Sequence, residues 1–155
     1  MRDRINQSVK DAMKSGDKRR LATLRLVTAA IKDRDLAAPV DGQGLATGRD
    51  NITDDEILTL LQKMIKQRRE SITLFAGAGR TDLVEQEEAE IAVISEYLPA
   101  QMTDAEMRTA VAGVMKELAC CGLKDMGKVM AVLKERFAGR MDFAKANGAV
   151  KELLK

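Results

Sequence analysis

The chain contains no histidine and no tryptophan, and aromatic residues fill only 3% of its 155 positions. Without imidazole there is no Ser-His or Cys-His nucleophilic machinery, no HExxH metal site and no Glu-x-x-His motif of di-iron bundles. Zinc fits poorly too, because the two cysteines, Cys120 and Cys121, are adjacent and have no second pair to complete four ligands. A vicinal disulfide there demands a distorted peptide, so both are expected as reduced thiols packed as small hydrophobes. No apolar run approaches membrane-spanning length. The opening MRDRINQSVKDAMKSG sets charges on both sides of each apolar residue, unlike a signal peptide. A cytoplasmic location and no membrane partner are therefore expected. With so few aromatics, the core has to come from Leu, Ile, Val, Ala and nine methionines, a palette that favours helices over sheets. A hydrophobic content of 45% suffices for one domain or two small ones.

Basic residues are also missing from one stretch. Residues 81–102 carry six acids and no Lys or Arg, whereas residues 1–80 carry 16 Lys/Arg against 11 Asp/Glu and residues 103–155 carry ten against seven. An acidic helix is thus flanked by two basic pieces.

Periodicity and capping signals place the elements. A first helix is expected from about Arg2 to Lys14, with Ile5, Val9, Ala12 and Met13 inward and Ser15-Gly16 as its stop. A second runs from about Asp17, a plausible cap, to Leu36, with Leu21, Leu24, Thr28 and Ile31 on one face. Residues 37–52, with Pro39 and glycines Gly42, Gly44 and Gly48, read as a loop; no strand precedes it and no GxxxxGK[ST] pattern occurs, so nucleotide binding is not indicated. Thr53 and Glu56 form a capping box that opens a long helix to about Phe75, striped by Ile57, Leu61, Met64, Ile65 and Ile72. Gly77 and Gly79 end it. Thr81 begins the acidic helix, with Leu83 or Val84, Ile91, Ile94 and Leu98 inward and Glu85, Glu88 and Glu96 outward. Its glutamates face Lys63, Lys66, Arg68 and Arg69 across a helical hairpin.

Pro99 removes a backbone donor and biases Leu98 away from the α region, so the acidic helix stops near Glu96 or Tyr97. A second capping box, Thr103 with Glu106, starts the next helix to about Cys120, with Met107, Val111, Val114 and Leu118 inward. Gly122 is the expected left-handed C-cap. Asp125 is expected to cap a helix burying Met126, Val129, Met130, Leu133 and Phe137, which Gly139 stops. Asp142 caps the last helix, where Phe143, Val150, Leu153 and Leu154 face inward. The expectation is an all-α protein: an N-terminal helical domain of hairpins over residues 1–98, a hinge at 99–102 and a three-helix C-terminal domain over 103–155.

Two groups of residues suggest chemistry. Glu85, Glu87, Glu88 and Glu90 are the main acidic concentration, but one helix spreads them over several faces, which favours a solvated, ion-paired surface over a metal cage. Asp125-Met126-Gly127-Lys128 offers helix N-terminal amides to an anion, although the Asp125 charge opposes one. Lys18, Arg19, Arg20 and Arg25, then Lys63, Lys66, Arg68 and Arg69, then Lys124, Lys128, Lys134, Arg136 and Arg140 are candidate phosphate contacts. Scarce aromatics restrict recognition to backbone and shape.

The segments LRLVTAAIKDRD, KMIKQRRESITLF, EIAVISEYLPAQMTDAEM and DMGKVMAVLKERFAGRMDFAKANGAVKELL, in that order, resemble the GatB/YqeY family in its free-standing YqeY-like form. The YLP-x-Q segment and the MGKVM helix start are the strongest pieces. The chain departs from the family in a longer Gly-rich loop from Pro39 to Gly48 and in Asn147-Gly148. The resemblance implies a three-helix tail similar to that of the GatB component of the tRNA-dependent amidotransferase, where it is thought to help hold tRNA. It also carries a family label of carbon-nitrogen ligase activity with glutamine as amido donor. That activity resides elsewhere in the amidotransferase, and this chain shows no amidase Ser-Ser-Lys signature. No catalytic residue, cofactor or metal is assigned. The expected function is a non-catalytic accessory protein that binds tRNA, or a complex of tRNA with an aminoacyl-tRNA-related enzyme, through Lys124, Lys128, Lys134, Arg136 and Arg140 of the tail; no DNA partner is expected. The alternative is a helical protein-protein interaction adaptor.

Overall fold

The computed structural model describes residues 1–37, 51–119 and 122–153, with Leu123 by its backbone alone. Pro39, Gly42, Gly44 and Gly48, the cysteines Cys120 and Cys121, and Leu154 lie outside the described residues. Among the described residues the regular structure is seven α-helices and one 3-10 turn, with no strand. The chain divides into two compact units, Met1–Leu98 and Pro99–Lys155.

The first unit holds α1 (Arg2–Ser15), α2 (Lys18–Leu36), α3 (Asp54–Gly77) and α4 (Thr81–Ser95). Gly16 ends α1 at φ 72°, a left-handed conformation that glycine adopts without a Cβ clash. The Asp17 carboxylate then accepts the Arg20 amide at 3.0 Å and starts α2. The Thr53–Glu56 capping box is formed in both directions at the head of α3. α1 pairs with α2 and α3 with α4, while α4 also packs on α2. Ile5, Ala12, Leu24, Val27, Ile31, Ile57, Leu61, Met64, Ile65, Ile94 and Tyr97 form the core.

Two apolar assignments shift. Met13 is 57% exposed, because at about 100° per residue it lies some 80° around α1 from Ile5 while Ala12 lies almost beneath it. On α2 the buried stripe is Thr23, Leu24, Val27 and Ile31, centred on Val27, and Leu21 and Thr28 are half-buried at its edge. Thr23 tolerates burial because its hydroxyl donates to the Arg19 carbonyl at 3.2 Å. The core stops at Ile65 along α3; Ile72, Phe75, Leu83 and Val84 are only half-buried.

Asp35 ties three segments of this unit together. Its carboxylate accepts Arg2 Nη1 and Nη2 at 2.8 and 3.0 Å and the Ile52 amide at 2.8 Å. The start of α1, the end of α2 and the entry to α3 thereby meet at one acid. The Arg2 guanidinium is the main reason its carboxyl sits below the ordinary Asp range.

The second unit holds α5 (Asp104–Glu117), a 3-10 turn (Leu123–Asp125), α6 (Met126–Phe137) and α7 (Phe143–Leu153). Thr103 and Glu106 form the second capping box, the Thr103 amide donating to Glu106 Oε2 at 2.8 Å and the Glu106 amide to Thr103 Oγ1 at 3.2 Å. α5 ends at Glu117, short of Cys120, and the left-handed residue after it is Ala119 at φ 49°, not Gly122. Asp125 also departs from expectation: it lies in the 3-10 turn at φ −87°, ψ −5°, and its side chain makes no capping hydrogen bond to α6. Gly139, at φ 72°, follows α6 as expected. Asp142 Oδ1 accepts the amides of Ala144 and Lys145 at 2.9 and 3.3 Å, capping α7.

Met107, Val111, Val114, Val129, Leu133, Met141, Ala146, Ala149 and Val150 form the core of this unit. Met141 lies in a turn, where no helical period announces it, and Leu153 is 54% exposed although its spacing suggested burial. Residues 99–102 are fastened to the turn before α7. Gln101 Nε2 donates to the Gly139 carbonyl at 2.6 Å, and the Met102 amide donates to the Arg140 carbonyl at 2.8 Å.

Candidate nucleic-acid interface

The five basic residues singled out in the tail are all exposed, but α6 disperses them. Lys124 lies in the 3-10 turn and Lys128 in the first turn of α6, at one end of that helix; Arg136 and Arg140 lie at the other. Lys128 and Lys134 are about 120° apart around the axis, with Arg136 on the side away from Lys134. No single stripe holds them.

Their charges differ in availability. Arg136 forks onto Glu117 of α5, with Nη1 and Nη2 at 2.7 and 2.6 Å from its oxygens. That pairing raises the Arg136 pKa and lowers that of Glu117. Arg136 is already spoken for by an acid nineteen positions away. Lys128 Nζ stands 3.6 Å from Asp125 Oδ1 with its side chain 76% exposed, a loose pair that a phosphate can replace. Arg140 Nε donates to the Ala100 carbonyl at 3.4 Å, so it also buttresses the 99–102 segment. Lys124 and Lys134 have no acid partner among the described residues. Of the five, Lys124, Lys128 and Lys134 are thus the ones available to an anion, with Arg140 half committed.

The four candidate glutamates of α4 do not converge. Glu85 and Glu88 are exposed, Glu87 and Glu90 half-buried, and Glu90 pairs with Arg68, whose Nη2 lies 2.8 Å from Glu90 Oε2. Of the four α3 cations expected to cross the hairpin, Arg68 alone does so among the described residues. No group of three or more acidic or thiol side chains is placed to hold a metal ion among the described residues. No described helix is long and apolar enough to cross a membrane.

The end of α4 is held by arginines that local sequence patterns do not reveal. Arg20 grips Glu96 with Nη1 and Nη2 at 2.8 and 2.7 Å. Arg4 donates to the Glu96 carbonyl at 3.0 Å and lies over the Tyr97 ring, 5.2 Å from its centroid. Tyr97, the sole tyrosine, is buried there. The Glu96 carboxyl is lowered chiefly by Arg20, whose own pKa is raised. The partner residues stand 76 and 92 positions from Glu96, which is why spacing offered no signal for them.

Comparison with known proteins gives this geometry a context. A protein from Lachancea thermotolerans named altered inheritance of mitochondria protein 41, mitochondrial, is 32% identical over 117 residues, 74% of this chain and 57% of that protein. The protein of the same name from Pyrenophora tritici-repentis is 31% identical over 139 residues, 86% of this chain and 71% of that one. A third, from Eremothecium gossypii, is 33% identical over 97 residues, 62% of this chain and 48% of its own length. This chain therefore spans about half to seven-tenths of those relatives, whose names describe them as mitochondrial. The family described as Yqey-like protein matches residues 2–154, nearly the whole chain. The order of capping boxes, the Tyr97-Leu98-Pro99 corner and the α6 start all lie inside that match, and the chain belongs to the Yqey-like protein family.

Proposed function

We propose that this chain is a non-catalytic accessory protein of translation, related to the tail of tRNA-dependent amidotransferase, that binds tRNA or a complex of tRNA with its enzyme. In this proposal residues 99–155 form the RNA-holding domain, residues 1–98 a separate helical domain, and the protein works in the cytoplasm. The observation that carries it is the exposed trio Lys124, Lys128 and Lys134, cations that no buried acid among the described residues neutralises, in a chain of the Yqey-like protein family. Arg136, committed to Glu117, is expected to matter less, and Arg140 to contribute partly through its hold on Ala100.

The test is titration of the full chain with bulk tRNA. Replacing Lys124, Lys128 and Lys134 together by Gln is expected to weaken binding and to flatten its salt dependence by about two units of slope, near 0.7 to 0.9 for each phosphate left unneutralised. Arg136→Gln is expected to change affinity less than twofold. Unchanged tRNA affinity in the triple variant removes the tail from the interface.

A further inference from the structure

The free positive charge of this protein is better aligned on α2 than on the tail. Lys18, Arg25 and Lys32 recur at i, i+7 and i+14, which places them within about 40° of one line and about 10 Å apart along the axis. All three are exposed, and none has an acid partner among the described residues. Ala22 and Ala29 fill the gaps, both exposed. The line runs opposite the buried face of Thr23, Leu24, Val27 and Ile31, so it crests the helix for about 21 Å.

This arrangement does nothing for the helix itself. The first turn of α2 contains Lys18, Arg19 and Arg20 and no acid, where the macrodipole disfavours cations. Arg20 is neutralised by Glu96, but Lys18 and Arg19 have no such pair among the described residues. A regular row of uncompensated cations with small residues between them suits a polymer of evenly spaced anions that must approach closely. The α2 face carries no aromatic ring on which a base could stack, so contact is to backbone and shape. A membrane surface is a poorer match, because an interfacial helix presents its apolar face to lipid, while α2 spends its apolar face on the core.

We propose that the outer face of α2, through Lys18, Arg25 and Lys32, is a second phosphate-contacting surface that lies along the backbone of a folded RNA. This rests on RNA being the ligand but assigns contacts to the first unit, so the two claims fail separately. The experiment compares the full chain with a ridge variant, Lys18→Gln, Arg25→Gln and Lys32→Gln, and with the tail triple variant described above. Each is titrated with bulk tRNA across a salt series, with far-UV circular dichroism confirming unchanged helix content. A charge-keeping control, Lys18→Arg with Lys32→Arg, is expected to bind like the parent. The ridge variant is expected to bind at least tenfold more weakly at low salt, with a log-log salt slope shallower by about two. Ridge affinity and slope equal to the parent's overturn the inference and leave the tail proposal standing. Weakened binding in the ridge variant with none in the tail variant supports the inference and removes the tail. Absence of tRNA binding by the parent overturns both. Binding of the parent to phosphatidylcholine vesicles with phosphatidylserine, abolished in the ridge variant while tRNA binding is untouched, overturns the inference in favour of a membrane surface.

Discussion

At the scale of single residues, Asp35 is the side chain whose removal should be felt most widely in the first unit. Its two Arg2 hydrogen bonds and the Ile52 amide join three segments. Its side chain is 14% exposed, so these charge-assisted hydrogen bonds are only weakly screened. Asp35→Asn is expected to lower stability by about 2 kcal/mol near neutral pH. The folded-state pKa is depressed, so the unfolded chain takes up the proton first as pH falls. The stabilisation is therefore complete above the ordinary Asp value of about 3.9 and is lost as pH falls through the lower folded-state value. Urea unfolding followed by the fluorescence of Tyr97, buried in this unit, checks it: the deficit of the variant should shrink on going from about pH 5 to strong acid. A deficit that persists undiminished in acid contradicts the ion-pair assignment. None of this was legible in the sequence, because Asp35 reads as one more charge at a helix end and Arg2 stands 33 positions away.

Among the elements, the last helix contains a correctable weakness. Gly148 lies within α7, is exposed, and a Cβ built on it meets nothing within 4 Å. The glycine is thus not required by close packing, and Gly148→Ala is expected to stabilise α7 by about 1 kcal/mol. Amide exchange at Val150, buried two positions further along the helix, should slow by about fivefold where it proceeds through opening of this helix. Equal or faster exchange contradicts the idea that the position is unconstrained. Helix starts were the most legible elements, since Thr53-Glu56 and Thr103-Glu106 are local devices whose partners lie three residues apart. Helix ends were less so. Ala119, after α5, takes the left-handed position for which Gly122 is the better-suited residue. One start also departs, since Asp125 stands at the N-cap position of α6 without a side-chain capping hydrogen bond. Spacing also predicted burial for Met13 and Leu153, which the rotation of their helices leaves exposed.

On the scale of the whole molecule, composition and family likeness pointed correctly to an all-helical chain of the Yqey-like family. Candidate cations were legible as residues but not as an interface. Which of them are cancelled depends on acids brought from elsewhere in the chain: Glu117 for Arg136, Glu90 for Arg68 and Glu96 for Arg20. Among the cations that no such pair cancels are Lys124, Lys128 and Lys134 on the second unit and the Lys18, Arg25, Lys32 row on the first. The slight excess of positive charge over the whole sequence, +2, conceals both. If these cations contact phosphate without stacked bases, as proposed, binding should have an affinity governed by salt.

The most direct measurement is the affinity of the full chain for bulk tRNA at a series of salt concentrations. Log affinity is expected to fall linearly with log salt, with a slope steeper than about −2, corresponding to roughly three or more neutralised phosphates. No detectable binding at low salt, or binding that does not weaken as salt is raised, would contradict it.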